Sequence, residues 1–187
     1  MRWNPRTLYS KIFADPVACD RFLSEVCTLA WHTPTDAGVT FADNCARLIV
    51  EHPRHEAEIL AWHSRWSEMF SGAIPETETA IEALHARDVP QFGLSNISHE
   101  TLASTMAMSP AFGRLAGVVA SGHEGLLKPD PAIFRLASAR FGLAPGEFLF
   151  VDDSAANIAA AQALGFAVHH FTDPAALWPA LVTHGLL

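Results

Sequence analysis

Apolar residues recur at every third or fourth position through most of the first 72 residues of the chain. This spacing puts apolar side chains on one face of a helix. We predict helices within residues 7–13, 17–31, 40–52 and 54–70. The segments "ADP", "HTPTDAG" and "EHPRH" between them contain the proline, glycine and aspartate residues that are typical of turns between packed helices. The first part of the chain is therefore predicted to be a small helical bundle.

From about residue 75 the pattern changes to short apolar runs that alternate with helical segments. The runs are "VPQFGLS", "GVVAS", "EFLFVDD" and "FAVHHF", and helices are predicted near "TAIEALHARD", "HETLASTMAM", "PAIFRLASARFG" and the alanine-rich "SAANIAAAQALG". Strands and helices that alternate at this spacing favour a parallel sheet with crossover helices. We predict an α/β fold with a helical domain at residues 5–74 and an α/β core at residues 75–187.

Composition and charge narrow the possible partners. Half of the residues are hydrophobic, and the net charge is −8 at pH 7. Nucleic acids and anionic membranes need a cationic surface, so we expect neither as a partner. Cys19, Cys27 and Cys45 form no disulfide or metal-binding pattern, and no apolar run is long enough to span a bilayer. We expect reduced cysteines and a cytoplasmic location.

Two adjacent carboxylates, Asp152 and Asp153, directly follow the third apolar run. Ligands of doubly wound sheets bind at the carboxyl ends of the strands. One of the two acids could cap the helix that follows, although Ser154 could do this equally well. Neighbouring carboxylates repel each other unless a cation compensates, and Mg²⁺ is held by few carboxylates together with water and substrate phosphate. A helix cap and a Mg²⁺ site are both open readings of this pair.

Two further strand ends carry side chains that could contact an anion. Ser95 and Asn96 end the first run and offer a hydroxyl and an amide, although such residues are most often turn formers, and Ser98 is suited to cap the next helix. Lys128 stands just before "PDP", which is typical of a helix start. A lysine in such a loop is usually solvated, but a phosphate placed here would meet an ammonium and a helix N-terminus together.

The histidine and tryptophan residues form no evident site in the sequence. His32, His52, His55 and His63 are scattered over the helical region, and His169 and His170 lie in or beside the last run. Trp31, Trp62 and Trp66 lie near turns or at helical spacing. We expect these side chains to pack the protein interior or surface rather than to bind a metal or a ligand.

The segments "GLSNIS", "LLKPDPAIF" and "LFVDDSAANIAAAQALG", in this order and spacing, resemble the second, third and fourth motifs of the haloacid dehalogenase-like hydrolase superfamily. The resemblance covers about residues 75–175 and implies a Rossmann-like core, with the preceding helices as a cap. It further implies that Ser95 and Lys128 hold a transferring phosphoryl group and that Asn96 lines the site. Asp153, supported by Asp152, would ligate Mg²⁺.

The first motif of that superfamily, a strand ending in a nucleophilic aspartate, has no match in this chain. Asp15, Asp20, Asp36 and Asp43 fall in the helical region and are not replacements for it. The family's first strand lies between the strands that end here at Ser95 and Asp152, so its absence would leave two edges with about five unpaired backbone groups each, at roughly 1 to 3 kcal/mol apiece. We hypothesise that Met1 is an internal methionine and that the natural product begins upstream; the rival is a remodelled sheet.

The resemblance implies a Mg²⁺-dependent phosphatase of a small phosphorylated metabolite, in which an aspartate attacks phosphorus and water cleaves the aspartyl-phosphate. Without that aspartate we expect the chain to be inactive. One alternative is a metal-free 2-haloacid dehalogenase, which has no use for a second carboxylate beside its halide. Another is a binding or regulatory module without chemistry. The sequence leaves the substrate and the oligomeric state open.

Overall fold

The computed structural model describes all 187 residues, and α-helices make up most of the first 64. These helices are α1 (Pro5–Tyr9), α2 (Pro16–Glu25), α3 (Leu29–Asp36), α4 (Phe41–Glu51) and α5 (Glu56–Ser64). Short 3₁₀ turns follow at Pro53–His55 and Trp66–Met69. Four of the helices start at a side chain that accepts a backbone amide proton, which satisfies a group that the helix itself leaves unpaired. These capping residues are Asn4, Asp15, Thr28 and Thr40.

Two details of the predicted helices are wrong. The helix predicted over residues 17–31 is two helices, because the Thr28 hydroxyl accepts from the Trp31 amide and starts α3 anew. The turn predicted at "HTPTDAG" lies largely inside α3, which continues through Pro34 to Asp36. The proline is tolerated within this eight-residue helix, and the chain turns only after Asp36.

The helical region has one continuous core of thirteen buried residues with Trp62 at its centre. The Trp62 ring, fully buried, packs against the rings of Trp3, Tyr9 and Trp31. The three cysteines are buried and unpaired. Packing of the aromatic side chains therefore stabilises this part of the chain, as predicted for the tryptophans.

The second part of the chain alternates strands and helices. Its elements are α6 (Pro75–His85), β1 (Phe92–Ser95), α7 (His99–Met106), β2 (Gly117–Ala120), α8 (Ser121–Glu124), α9 (Pro131–Phe141), β3 (Leu149–Asp152), α10 (Ala155–Ala163), β4 (Ala167–His170) and α11 (Leu177–Thr183). All four predicted strands are present, with 3₁₀ turns at Pro110–Arg114, Pro145–Glu147 and Pro174–Ala176. The α/β class with parallel strands is confirmed.

The strands form two separate parallel pairs. β1 pairs with β2, with Ser95 opposite Ala120, and β3 pairs with β4, with Asp152 opposite His170. No hydrogen-bonded strand joins β1 to β3. The sheet is therefore divided at the position where the sequence predicted a missing strand.

The backbone groups at this division can be assigned from the strand alternation. The Asp152 carbonyl accepts from the Phe171 amide on the β4 side, so the backbone groups of the preceding Val151 point the other way. Val151 is 37% exposed. On the other strand the Leu94 carbonyl accepts a hydrogen bond from the Lys128 ammonium instead of from a strand. Each pair of strands thus has an edge that no strand covers.

The end of α3 docks directly on the α/β region. The Ser121 hydroxyl donates to the Asp36 carbonyl at 2.5 Å. Beside it, a Cβ on Gly38 would lie 3.1 Å from the Gly122 carbonyl oxygen, so the chain after α3 approaches the α/β backbone closely. These contacts hold the helical region over the carboxyl end of β1. None of the helices has the length and apolar character that a bilayer crossing requires.

Candidate functional site

The site lies where β1 and β3 end and the loop before α9 approaches them. The Lys128 ammonium donates to the Leu94 carbonyl at 2.8 Å and to the Asp152 carboxylate, Oδ2, at 2.6 Å. The side chains of Lys128 and Asp152 are only 9% and 7% exposed. An ammonium has three N–H donors, so one remains for a ligand. Lys128 thereby links the two halves of the divided sheet.

The two adjacent carboxylates have different surroundings. Besides Lys128, Asp152 accepts through Oδ1 from the Ser154 amide at 2.8 Å and from the Asn157 side-chain amide at 2.9 Å. Both of its oxygens are therefore occupied by protein donors. Asp153 is exposed, and its carboxylate has no hydrogen bond or ion pair with the protein. Ser154, not either aspartate, caps α10.

The carboxylates at the strand ends decide whether Mg²⁺ fits this site. No group of three or more histidine, cysteine, aspartate or glutamate side chains is arranged to hold a metal. Mg²⁺ in proteins commonly uses one or two carboxylates and takes its other ligands from water and substrate phosphate. The free Asp153 carboxylate fits that requirement, whereas Asp152 is committed to Lys128. The sequence prediction gave both residues to the metal, and the structure leaves only Asp153 with free oxygens.

The Asn96 side chain forms two hydrogen bonds with the backbone of Lys128. Its side-chain amide donates to the Lys128 carbonyl at 2.9 Å, and its Oδ1 accepts from the Lys128 amide at 2.8 Å. The following Lys128–Pro129 peptide is cis. Asn96 therefore fixes the loop that presents the lysine. It also lines the pocket above the strand end.

Ser95 is partly buried, and its hydroxyl makes only a long, 3.5 Å contact with the neighbouring Asn96 carbonyl. The hydroxyl is free to contact a ligand. Ser95 borders a pocket of about 310 Å³ between the strand end and the helical region. The other lining residues are Trp3, Leu29, His32, Thr33, Asp36, Trp66, Phe70, Asn96, Ile97 and Thr105. The expectation that Trp66 and His32 only pack the interior is incomplete, because both also line this pocket.

His32 and Asp36, at i and i+4 on α3, form a pair in the pocket wall that sequence reasoning missed. His32 Nε2 lies 3.5 Å from Asp36 Oδ1. Burial lowers the pKa of His32 to about 4 and raises the pKa of Asp36 to about 6, the latter against the opposing effect of the Ser98 backbone. The histidine is therefore neutral and the aspartate mostly ionised at neutral pH. The i, i+4 spacing is the available signal, but the proline and glycine of this segment predict a turn.

A larger hollow, of about 500 Å³, lies elsewhere on the α/β region. Its wall includes Pro145, Leu164 and Phe166, which precede β3 and β4. It is therefore at the amino ends of these strands, opposite the end where ligands of such sheets bind. None of the predicted site residues reaches it.

The sequence of the chain resembles those of known proteins. The family described as haloacid dehalogenase-like hydrolase matches residues 31–165, more than half of the chain. Mouse acyl-CoA dehydrogenase family member 10 is 32% identical over 67% of this chain and 12% of its own length. The sesquiterpene phosphatase astK of Aspergillus oryzae is 29% identical over 50% of this chain and 47% of its own length. The chain spans less than half the length of these curated relatives.

Solved structures share the fold at low sequence identity. A predicted HAD-like family hydrolase from Porphyromonas gingivalis has a TM-score of 0.71 and 24% identity, covering 100% of this chain and 92% of its own. A HAD family enzyme from Bacteroides thetaiotaomicron, in complex with magnesium and inorganic phosphate, has a TM-score of 0.67 and 18% identity, covering 88% and 84%. An L-2-haloacid dehalogenase from Xanthobacter autotrophicus has a TM-score of 0.62 and 15% identity, covering 99% and 80%.

Proposed function

Because the chain belongs to the haloacid dehalogenase-like hydrolase family, we propose that its strand-end site binds the phosphoryl group of a small phosphorylated metabolite, as part of a Mg²⁺-dependent phosphohydrolase. A curated relative described as a sesquiterpene phosphatase supports the reaction class. A structural neighbour in complex with magnesium and inorganic phosphate supports Mg²⁺ and phosphate as the proposed ligands.

The geometry of Lys128 carries this proposal. Its ammonium is nearly buried and is held by two fixed acceptors, the Leu94 carbonyl and the Asp152 carboxylate. A lysine oriented in advance loses little freedom when an anion binds, and a phosphate group would receive its third N–H. A lysine that only projects from a loop into solvent would not need these two fixed acceptors.

The other site residues have complementary roles in the proposal. The free Ser95 hydroxyl donates to a phosphoryl oxygen, and Asn96 positions the Lys128 loop. Asp153 would hold Mg²⁺, which would neutralise negative charge on the phosphate. Charge stabilisation of this kind supplies most of the catalysis of phosphoryl transfer.

The nucleophile of the proposed reaction has no counterpart in the chain. Both oxygens of Asp152 are engaged, and Asp36 lies in the helical region. We propose that the chain binds phosphate and Mg²⁺ without turning over phosphate esters. Residues 5–74 would act as the cap that excludes bulk water and selects the leaving group, and residues 75–187 as the core.

The alternative of a 2-haloacid dehalogenase shares the fold, as the Xanthobacter autotrophicus structure illustrates. A dehalogenase would need no metal, so it offers no role for the exposed and unpartnered Asp153. Mg²⁺ dependence of anion binding therefore separates the two functions.

The test is isothermal titration calorimetry of inorganic phosphate with and without excess Mg²⁺. We expect saturable phosphate binding that Mg²⁺ strengthens at least tenfold, and we expect Asp153→Asn to remove the Mg²⁺ effect. Asp88→Asn is a matched control, because Asp88 is exposed in the loop before β1, at the opposite end of the sheet. Phosphate binding that ignores Mg²⁺ would contradict the metal assignment.

A parallel assay with p-nitrophenyl phosphate tests the missing nucleophile. We expect no turnover beyond the rate without protein. Turnover that Asp36→Asn abolishes would show that Asp36 takes the nucleophile's place and that our account of this residue is wrong.

A further inference from the structure

The surface of the pocket above Ser95 is mainly apolar. Trp3, Leu29, Trp66, Phe70 and Ile97 contribute this surface. The pocket is continuous with the proposed phosphoryl site, because Ser95 and Asn96 form its floor. Any group attached to a phosphate held at Ser95 and Lys128 would therefore extend into it.

Most polar groups in this wall already have a partner within the protein. The Thr33 hydroxyl donates to the Leu29 carbonyl at 2.9 Å, and Trp66 Nε1 donates to Thr105 Oγ1 at 2.9 Å. His32 Nδ1 accepts from Trp62 Nε1 at 3.2 Å. These bonds leave few donors or acceptors for a ligand that brings several hydroxyl groups of its own.

Two polar atoms of the wall have no hydrogen bond, but neither is exposed to solvent. They are Trp3 Nε1 and Asp36 Oδ1. The Asp36 carboxylate also places negative charge beside the pocket, with the neutral His32 as its neighbour. A polyhydroxylated ligand would bury unpaired hydroxyls here, and an acidic one would meet charge repulsion.

We propose that this pocket receives the organic group of a bound phosphate ester and that this group derives from an apolar alcohol. The preferred ligands are then phosphate monoesters of aliphatic or aromatic alcohols rather than sugar phosphates. The inference rests on the proposed function, since the phosphoryl site must hold the phosphate for the alcohol to reach the pocket.

Calorimetry on the intact chain with three probes tests this selectivity. The probes are inorganic phosphate, n-hexyl phosphate and glucose 6-phosphate, each with excess Mg²⁺. We expect n-hexyl phosphate to bind at least tenfold more tightly than the other two, because the hexyl chain leaves water for an apolar wall.

A variant in the pocket wall and a matched control show whether the apolar wall causes the tighter binding of n-hexyl phosphate. Leu29→Asn removes apolar surface from the wall at a residue that is 62% exposed, so the fold should tolerate it. We expect it to weaken n-hexyl phosphate binding at least threefold and to leave inorganic phosphate unchanged. Val50→Asn makes the same kind of change at an 83% exposed residue outside the pocket and should alter neither.

The outcomes separate the two proposals. Equal affinity for all three probes, or an equal effect of Leu29→Asn and Val50→Asn on n-hexyl phosphate, overturns the apolar pocket while the phosphoryl site stands. Failure of inorganic phosphate itself to bind overturns the proposed function, and the pocket inference with it.

Discussion

The helical region and the α/β region of this molecule bury their interiors in different ways. The helical region has a single cluster of thirteen buried residues, whereas the α/β region has one cluster of six and another of four. In the helical core the Trp62 indole N–H donates to His32 on a neighbouring helix. In the α/β region the ammonium of Lys128 spans the division between β1 and β3.

The helical core contributes mainly to stability, whereas the division between β1 and β3 provides the candidate binding site. Side chains that pack among many neighbours from the same region stabilise the fold. Side chains that span a division between elements are held in place yet keep a free donor or acceptor. The second arrangement is what ligand binding requires, and the candidate site lies at the division.

The largest expected effect on stability is at Trp62. Truncation by Trp62→Ala removes a fully buried side chain from the centre of the aromatic core and should lower the free energy of unfolding by about 4 kcal/mol. Urea denaturation measures this change in the free energy of unfolding. Trp178→Ala, at a 44% exposed tryptophan on α11, is the control and should cost far less. Equal costs would show that the helical core is not the stabilising unit we describe.

The next effect is at the division between the strands. Lys128→Met leaves the Asp152 carboxylate nearly buried without its cation, and the free energy of unfolding should fall by about 3 kcal/mol. Adding Asp152→Asn removes the uncompensated charge and should restore most of this loss. A double variant as unstable as the single one would mean that the ion pair is not what Lys128 contributes.

Asp36, where the two regions meet, should make stability depend on pH. Its pKa is raised to about 6 in the folded protein from 3.8, so the folded state resists its ionisation. The resulting destabilisation is absent below pH 3.8 and complete above pH 6. Asp36→Asn should therefore be more stable than the parent by about 3 kcal/mol at pH 7 and by little at pH 4.

Urea denaturation of Asp36→Asn and the parent at pH 4, 5, 6 and 7 provides the test. Both proteins keep His32, whose lowered pKa acts in the opposite direction and destabilises the fold only at low pH. A stability difference that does not change between pH 4 and pH 7 would contradict the buried setting of Asp36.

The smallest expected effect is at the cap of α7. The Ser98 hydroxyl accepts from the Glu100 amide, and Ser98→Ala should cost about 1 kcal/mol. Ser104→Ala, in the middle of the same helix and exposed, should be neutral or slightly stabilising. Equal changes in the free energy of unfolding for the two variants would show that the Ser98 cap does not stabilise α7.

The strands and several caps could be predicted because their signals are local. Each of the four apolar runs contains its strand, and Ser98 caps the helix for which it was predicted. The break before α3 could not be seen, because apolar residues keep helical spacing on both sides of Thr28. "HTPTDAG" contains turn-forming residues, but packing against the α/β region keeps it helical through Asp36.

The arrangement of the site was only partly predictable. The sequence identified Ser95, Asn96, Lys128, Asp152 and Asp153 as strand-end residues, and the structure places them at one end of the divided sheet. The links between them join residues 24 and 32 positions apart, Lys128 to Asp152 and Asn96 to Lys128. No local pattern reports such links, so the separate settings of Asp152 and Asp153 required the structure. Their roles in binding stay predictions.

The central claim is that Lys128 holds a phosphoryl group at the division between β1 and β3. Calorimetry of inorganic phosphate with Mg²⁺, on the parent chain and on the Lys128→Met/Asp152→Asn double variant, tests it most directly. We expect saturable binding to the parent and at least a hundredfold weaker binding to a double variant that is still folded. Equal binding to both proteins, or none to the parent, would contradict it.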